Sequence, residues 1–376
     1  MKIIAYYLPQ FHEIPENDAW WGKGFTEWTN VKKAKPLFIN HYQPRIPLNN
    51  NYYDLSNVNN IKWQADLATK YGIYGFAIYH YWFNGKLLLE RPAELLLNHK
   101  EINIHFCLCW ANENWTNGWV SDKNNILISN DFNDKEDWRK HFLYFLSFFR
   151  DKRYIQINKK PLLIIYYPSN IQPLKEMLNF WEKMAISEGF NGITFVFQHP
   201  LFYYDKKSKT SLFDYGIEFE PQFSEYSLKK ENAFLLNFKI KLSTFVQKKF
   251  HLYKHLEKKE LRIYDYDLIW KTIINQNLDD NIFPGAFVDW DNTSRKGNRG
   301  SVIQGACPQK FKFYFNQLVL KTRTVYKKDY IFIFAWNEWG ECGYLEPDEK
   351  WKYQYLESIF DVLKENKELP DNDLNS

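Results

Sequence analysis

The sequence predicts an α/β fold, a (β/α)8 barrel of the TIM type, on three observations. Eight short apolar runs alternate with longer amphipathic stretches along the 376 residues, the rhythm of a parallel sheet with crossover helices. All but one of these runs lead into carboxylate, imidazole, amide or indole side chains at their C-terminal ends, where such barrels carry their functional groups. A hydrophobic content of 45% in a chain of this length is enough for one large core. A doubly wound open sheet is the rival arrangement of the same rhythm.

The expected strands are Ile3–Phe11, Tyr74–Trp82, Ile104–Ala111, Pro161–Pro168, Gly192–His199, Gly216–Pro221, Phe283–Trp290 and Tyr330–Trp339. Between them the apolar spacing is helical. In "NVNNIKWQADLATKYG" it places Val58, Ile61, Ala65 and Ala68 on one face, with Gly72 as the stop. Further helices are expected over 86–100, 134–153, 171–188, 308–326 and 351–366. The predicted organisation is one catalytic barrel over 1–366, with extended loops after its strands, and a disordered polar tail over 367–376. Residues 227–262 hold ten Lys/Arg and three Glu, a local charge of +7 that leaves 4 − 7 = −3 for the rest. This basic amphipathic insertion is read as a crossover helix with its lysines in water, or as a peripheral contact with an anionic membrane surface.

A net charge of +4 is too small for a surface that coats nucleic acid. Cys107, Cys109, Cys307 and Cys342 show neither a C-x-x-C nor a Cys/His metal spacing, so no disulfide framework is expected. No run of about 18 apolar residues is present, so no transmembrane helix is expected. The N-terminal "MKIIAYYLPQFHEIPEN" reads as a first strand rather than a leader. The expected compartment is the cytoplasm, with contact to the inner face of the membrane through the basic insertion. The aromatic share of 19% supplies platforms on which sugar rings stack.

The last strand ends in "FAWNEWGECGYLEP". Glu338 and Glu341, three residues apart in a turn, can face one cavity. Glycosidic cleavage needs one group to give a proton and another to act as base or nucleophile. Burial beside indoles raises one of two such pKa values and so divides the roles. Asn337, Trp339, Asp289, Trp290, Asn292 and Arg295 stand at the ends of the last two strands as candidate sugar contacts. Asn112 and Glu113 end the third strand, and Glu113 is a candidate binding residue. Tyr7, His12, His80, Trp82, Trp115 and His199 are candidates for lining the cavity. "DWD" at Asp289–Asp291 is the hook for a metal-dependent transferase. Arg295, Lys296 and Arg299 oppose a dication there, and no Gly-rich phosphate loop is present. Neither metal nor cofactor is expected.

The segments "YYLPQFHEIPENDAWWGKGFTEWTNV", "CWANENW", "WDNTSR" and "FAWNEWGECGYLEPD" resemble the WbsX-type proteins of bacterial surface-polysaccharide loci, over nearly the whole chain. Those are in turn similar to family-99 glycoside hydrolases, the endo-α-mannosidase type, which are retaining (β/α)8 enzymes. The resemblance implies that Glu338 is the base that deprotonates the substrate's 2-hydroxyl, giving a 1,2-anhydro sugar, and that Glu341 is the general acid/base. Gly340 stands where the mannosidase type carries a His. The expected function is retaining cleavage in a surface polysaccharide such as O-antigen or capsule, or in its precursor. Alternatives are a glycosyltransferase of polysaccharide biosynthesis and a non-catalytic carbohydrate-binding protein.

Overall fold

The protein is described by a computed structural model covering residues 1–116, 125–205, 207–229, 261–371 and 374. Its central sheet runs through β1 (Lys2–Tyr7), β2 (Ile73–Phe83), β3 (His105–Trp110), β4 (Lys160–Ile165), β5 (Thr194–Phe197), β6 (Tyr215–Ile217), β7 (Ile282–Phe283 and Gly285–Phe287) and β8 (Tyr330–Phe334). Every pairing between these strands is parallel. The two halves of β7 flank Pro284, which has no N–H to give to a ladder. Its first half pairs with β6 and its second with β8, while β8 pairs with β1. The ring therefore closes, which decides for the barrel over the open sheet.

The strands read as unbroken apolar runs because a barrel strand is covered on both faces. β2 has ten buried residues out of eleven. The principal crossovers are α1 (Val58–Lys70), α2 (Arg91–Asn98), α3 (Lys135–Phe149), α4 (Leu174–Ser187), α5 (Tyr266–Asn275), α6 (Pro308–Lys321) and α7 (Gln354–Glu365). The Asn57 side chain caps α1 by accepting from the Asn59 N–H at 3.0 Å. Gly72 follows α1 at φ +83°, a conformation that favours glycine. The α5 helix is not among the expected elements. Its Tyr266, Ile269, Trp270 and Ile273 are buried against the barrel.

Most of the aromatic surplus serves packing rather than sugar binding. Trp181, Trp270 and Trp336 are fully buried between sheet and helices. The chain beyond α7 is tied down over its first residues, against the expectation of a disordered tail from 367. Glu368 accepts from the Met1 amine at 2.9 Å and pairs with Arg323. The basic insertion lies almost wholly outside the described residues. Among those described, no helix is long and apolar enough to cross a membrane.

Candidate active site

Past β8 the chain makes a small hairpin in which Asn337–Glu338 pairs antiparallel with Gly343–Tyr344. Asn337 ties it to the end of β1, accepting from the Leu8 N–H at 2.7 Å and donating to the Leu8 carbonyl at 3.0 Å. The turn Trp339–Glu341 aims both glutamates into a cavity of about 600 Å3 at the C-terminal mouth of the barrel.

A third carboxylate and one guanidinium meet them there. Arg295, from the loop after β7, donates through Nε to Glu27 at 2.8 Å and through Nη2 to Glu338 at 2.8 Å. Its Nη1 lies 3.2 Å from Glu341. Glu27 opens a helix, Glu27–Lys33, in the long β1–α1 loop. The neighbouring Trp28 anchors that helix by donating to the Tyr53 carbonyl at 2.8 Å and packing on Trp339. Gly340 is required beneath this bridge, because a Cβ there would stand 2.2 Å from the Glu27 carboxylate and 2.7 Å from Arg295 Nε. The His of the mannosidase type has no room at this position.

Three ionised carboxylates on one guanidinium leave a net charge of −2 in a desolvated place. Burial pushes Glu338 well above the ordinary carboxylate range against the pull of Arg295, and Glu341 above it for the same reason. Burial therefore favours a proton held on the pair. Glu341 is the more accessible, with 19% of its side chain exposed against 5% for Glu338.

Glu113, Trp115, Trp290, Asn292 and Arg295 join the glutamates in lining the cavity, together with residues that the strand ends did not single out: Glu27, Tyr79, Tyr81 and Tyr166. Confinement raises the Glu113 carboxyl. Burial raises the Tyr166 phenol, and the charges of Glu113 and Glu341 push it up further.

The other expected site residues do not line this cavity. His80 and Trp82 point away from it, since alternation along β2 turns Tyr79 and Tyr81 inward. His80 Nε2 lies 2.8 Å from His141 Nε2 of α3, and Trp82 donates to Asp137 at 3.0 Å. Asp289 pairs with Arg45 at 2.8 Å. Asp291 accepts from Gln43 and meets His41, each at 2.7 Å. Trp290 between them turns inward, so the two aspartates hold the 41–45 segment instead of sugar. Asn112 is buried and clamps the Tyr167 backbone in both directions at 2.8 Å. Tyr7 donates to Gln64 at 2.7 Å, His12 is buried in the loop after β1, and His199 stacks on Tyr167. Asn337 serves the hairpin. Trp339 stacks on Tyr344 and donates to Glu346 at 2.6 Å. Among the described residues no group of three or more His, Cys, Asp or Glu side chains is arranged to hold a metal ion.

Glu346 also accepts from Tyr53 at 2.8 Å and from Gln64 at 2.7 Å, yet burial lifts its pKa to about 7. A carboxyl whose folded pKa is raised binds more protons folded than unfolded, so its contribution is full below the unfolded value of about 4.3 and is lost as pH climbs to about 7. The loss is up to about 4 kcal/mol. The urea midpoint of the protein is expected to fall between pH 5 and pH 8, and Glu346→Gln is expected to flatten that fall. An unchanged slope in the variant would refute the assignment.

The closed (β/α)8 barrel, with acidic side chains at its C-terminal mouth, has a glycoside hydrolase-like architecture. The GH99 endo-alpha-mannosidase from Bacteroides thetaiotaomicron superposes with a TM-score of 0.56 over 98% of both chains at 12% identity. A second solved structure, a glycoside hydrolase-like protein, gives 0.56 over 96% of this chain and 93% of its own at 11% identity. At such identities the likeness is one of fold.

The chain belongs to the WbsX family, whose model, described as "Glycosyltransferase WbsX", matches residues 3–359. Two relatives from Xanthomonas campestris pv. campestris, each described as uncharacterized protein WxcX, are 32% identical over 364 residues, 96% of this chain. The match covers 49% of those proteins, so the chain spans about half their length.

Proposed function

We propose that the protein cleaves a glycosidic bond in a bacterial surface polysaccharide or its precursor, with retention, through Glu338 and Glu341. The observation that supports this most is the pairing of these glutamates on Arg295 inside an aromatic-walled cavity. In this reading the Glu338 carboxylate takes the proton of the substrate's 2-hydroxyl. The freed oxygen attacks the anomeric carbon as Glu341 protonates the departing oxygen, leaving a 1,2-anhydro sugar. Glu341, now ionised, then takes a proton from water, which opens that ring at the anomeric carbon while Glu338 returns its proton to the 2-oxygen. Arg295 donates to Glu338 and so opposes the burial that raises it, and in this reading the proton sits on the more exposed Glu341 nearer the mouth. Tyr79, Tyr81, Trp115 and Trp290 offer faces and polar edges to the sugars.

Product analysis with free and lipid-linked oligosaccharides, each with and without nucleotide sugars, tests the reading. Shortened products with retained anomeric configuration and no nucleotide requirement are expected. The description of the matching family favours a second outcome, transfer that depends on a nucleotide sugar, and that result would overturn hydrolysis. Asp289 and Asp291 are engaged by Arg45, His41 and Gln43, so a chelator is expected to leave activity intact. Loss of activity in chelator, restored by manganese or magnesium and absent in Asp289→Asn, would make the transferase primary.

A further inference from the structure

A second cleft, of about 390 Å3, lies between the β1–α1 loop and the segment that follows the acidic turn. Trp339 sits between Glu338 and Glu341 in sequence, yet it lines this cleft and not the main cavity. Glu346 lines it too, with Trp63 of α1, Tyr353 at the start of α7, and Asn50 and Asn51 from the loop. Trp63 is half-buried and also borders a shallower groove along α1, so its indole stands on the ridge between two concave surfaces. Among the described residues its N–H has no hydrogen-bond partner.

The chemistry of the lining selects a ligand class. None of the residues lining the cleft is Lys or Arg, so a phosphate, a uronate or a nucleotide finds no counter-charge there. The one carboxyl, Glu346, is already satisfied by Tyr53, Gln64 and Trp339, so it offers no free anion to a cation. What remains is an aromatic face beside amide donors and acceptors. A neutral sugar matches that combination, since its C–H faces stack on rings and its hydroxyls bond to amides.

We propose that this cleft is a second carbohydrate-binding site, taking an uncharged stretch of glycan outside the unit that reacts in the main cavity. The proposal rests on the reading that the protein meets a glycan chain. It does not depend on which bond is broken.

The test is affinity electrophoresis of the full chain in gels cast with α-mannan, dextran, galactomannan or xyloglucan, with polygalacturonate as the anionic counterpart. At least one neutral polymer is expected to retard the wild type and Glu341→Gln alike. Trp63→Ala is expected to weaken that retardation at least fivefold, and Trp63→Phe to restore part of it. Asn50→Gly, which tolerates the left-handed backbone at φ +53° and removes the side chain with its amide, is expected to weaken it about threefold. No retardation by any neutral polymer, equal retardation of Trp63→Ala, or stronger binding of polygalacturonate would each overturn the proposal. Because Glu341→Gln is read in the same gel, the binding result stands apart from catalysis. Retardation lost with Trp63→Ala in a protein that cleaves nothing keeps this site and removes the hydrolase reading, and cleavage without retardation does the reverse.

Discussion

Glu341→Gln is expected to lower kcat/KM by about 10^2 to 10^4 on glycosides with poor leaving groups and by less than about tenfold on dinitrophenyl glycosides. The amide cannot give a proton, and only the poor leaving group needs one. The variant is also expected to lose the alkaline limb of the kcat/KM profile, because that limb reports deprotonation of the acid. Burial holds the Glu341 pKa above the ordinary carboxylate range, so in the wild type the limb lies above about 4.3. Glu338→Gln is expected to depress both substrates alike, since the 2-hydroxyl must lose its proton whatever the leaving group. Equal losses in Glu341→Gln on both substrates would exclude it as the acid.

Arg295→Met is expected to destabilise the protein by about 3–5 kcal/mol at pH 8. The guanidinium is the hydrogen-bonding cation shared by Glu27, Glu338 and Glu341, and its side chain is 5% exposed. Methionine keeps the length of the side chain and leaves the carboxylates uncompensated in a desolvated place. Arg295 opposes the burial that raises Glu338 and Glu341, so its loss lifts their folded values further. Carboxyls with raised folded pKa favour folding below the unfolded pKa and lose that advantage as pH rises. The penalty is therefore expected to shrink toward pH 5. Urea denaturation at pH 5 and pH 8 measures both numbers, and a variant as stable as the wild type at pH 8 would rule out the shared bridge.

Much of the barrel was legible in the chain, because a parallel strand covered on both faces has to be an unbroken apolar run and a crossover helix has to be amphipathic. Glu338 and Glu341 were legible for a related reason, since acids directly after a buried strand and among tryptophans are out of place unless they face a cavity. The resemblance of the long aromatic segments to WbsX-type proteins pointed to the same turn.

Orientation and distance were not legible. The period of two along a strand tells which residues share a face, and nothing in it tells which face looks into the barrel. By sequence His80 and Trp82 therefore read as cavity residues where Tyr79 and Tyr81 line it, and Asp289 where Trp290 does. Asn112 sits at a strand end as Asn337 does, but closure of the ring turned both into backbone clamps. Glu27 is 268 residues from Arg295 and belongs to a loop helix, so no local pattern ties it to the site. By itself the sequence determined the eight strands, most of the crossover helices, the family and the acidic turn, because these follow from local periodicity and contiguous motifs. Only the tertiary structure decided which faces point inward and that one arginine gathers three glutamates, because both depend on ring closure and on contacts between residues far apart in the chain.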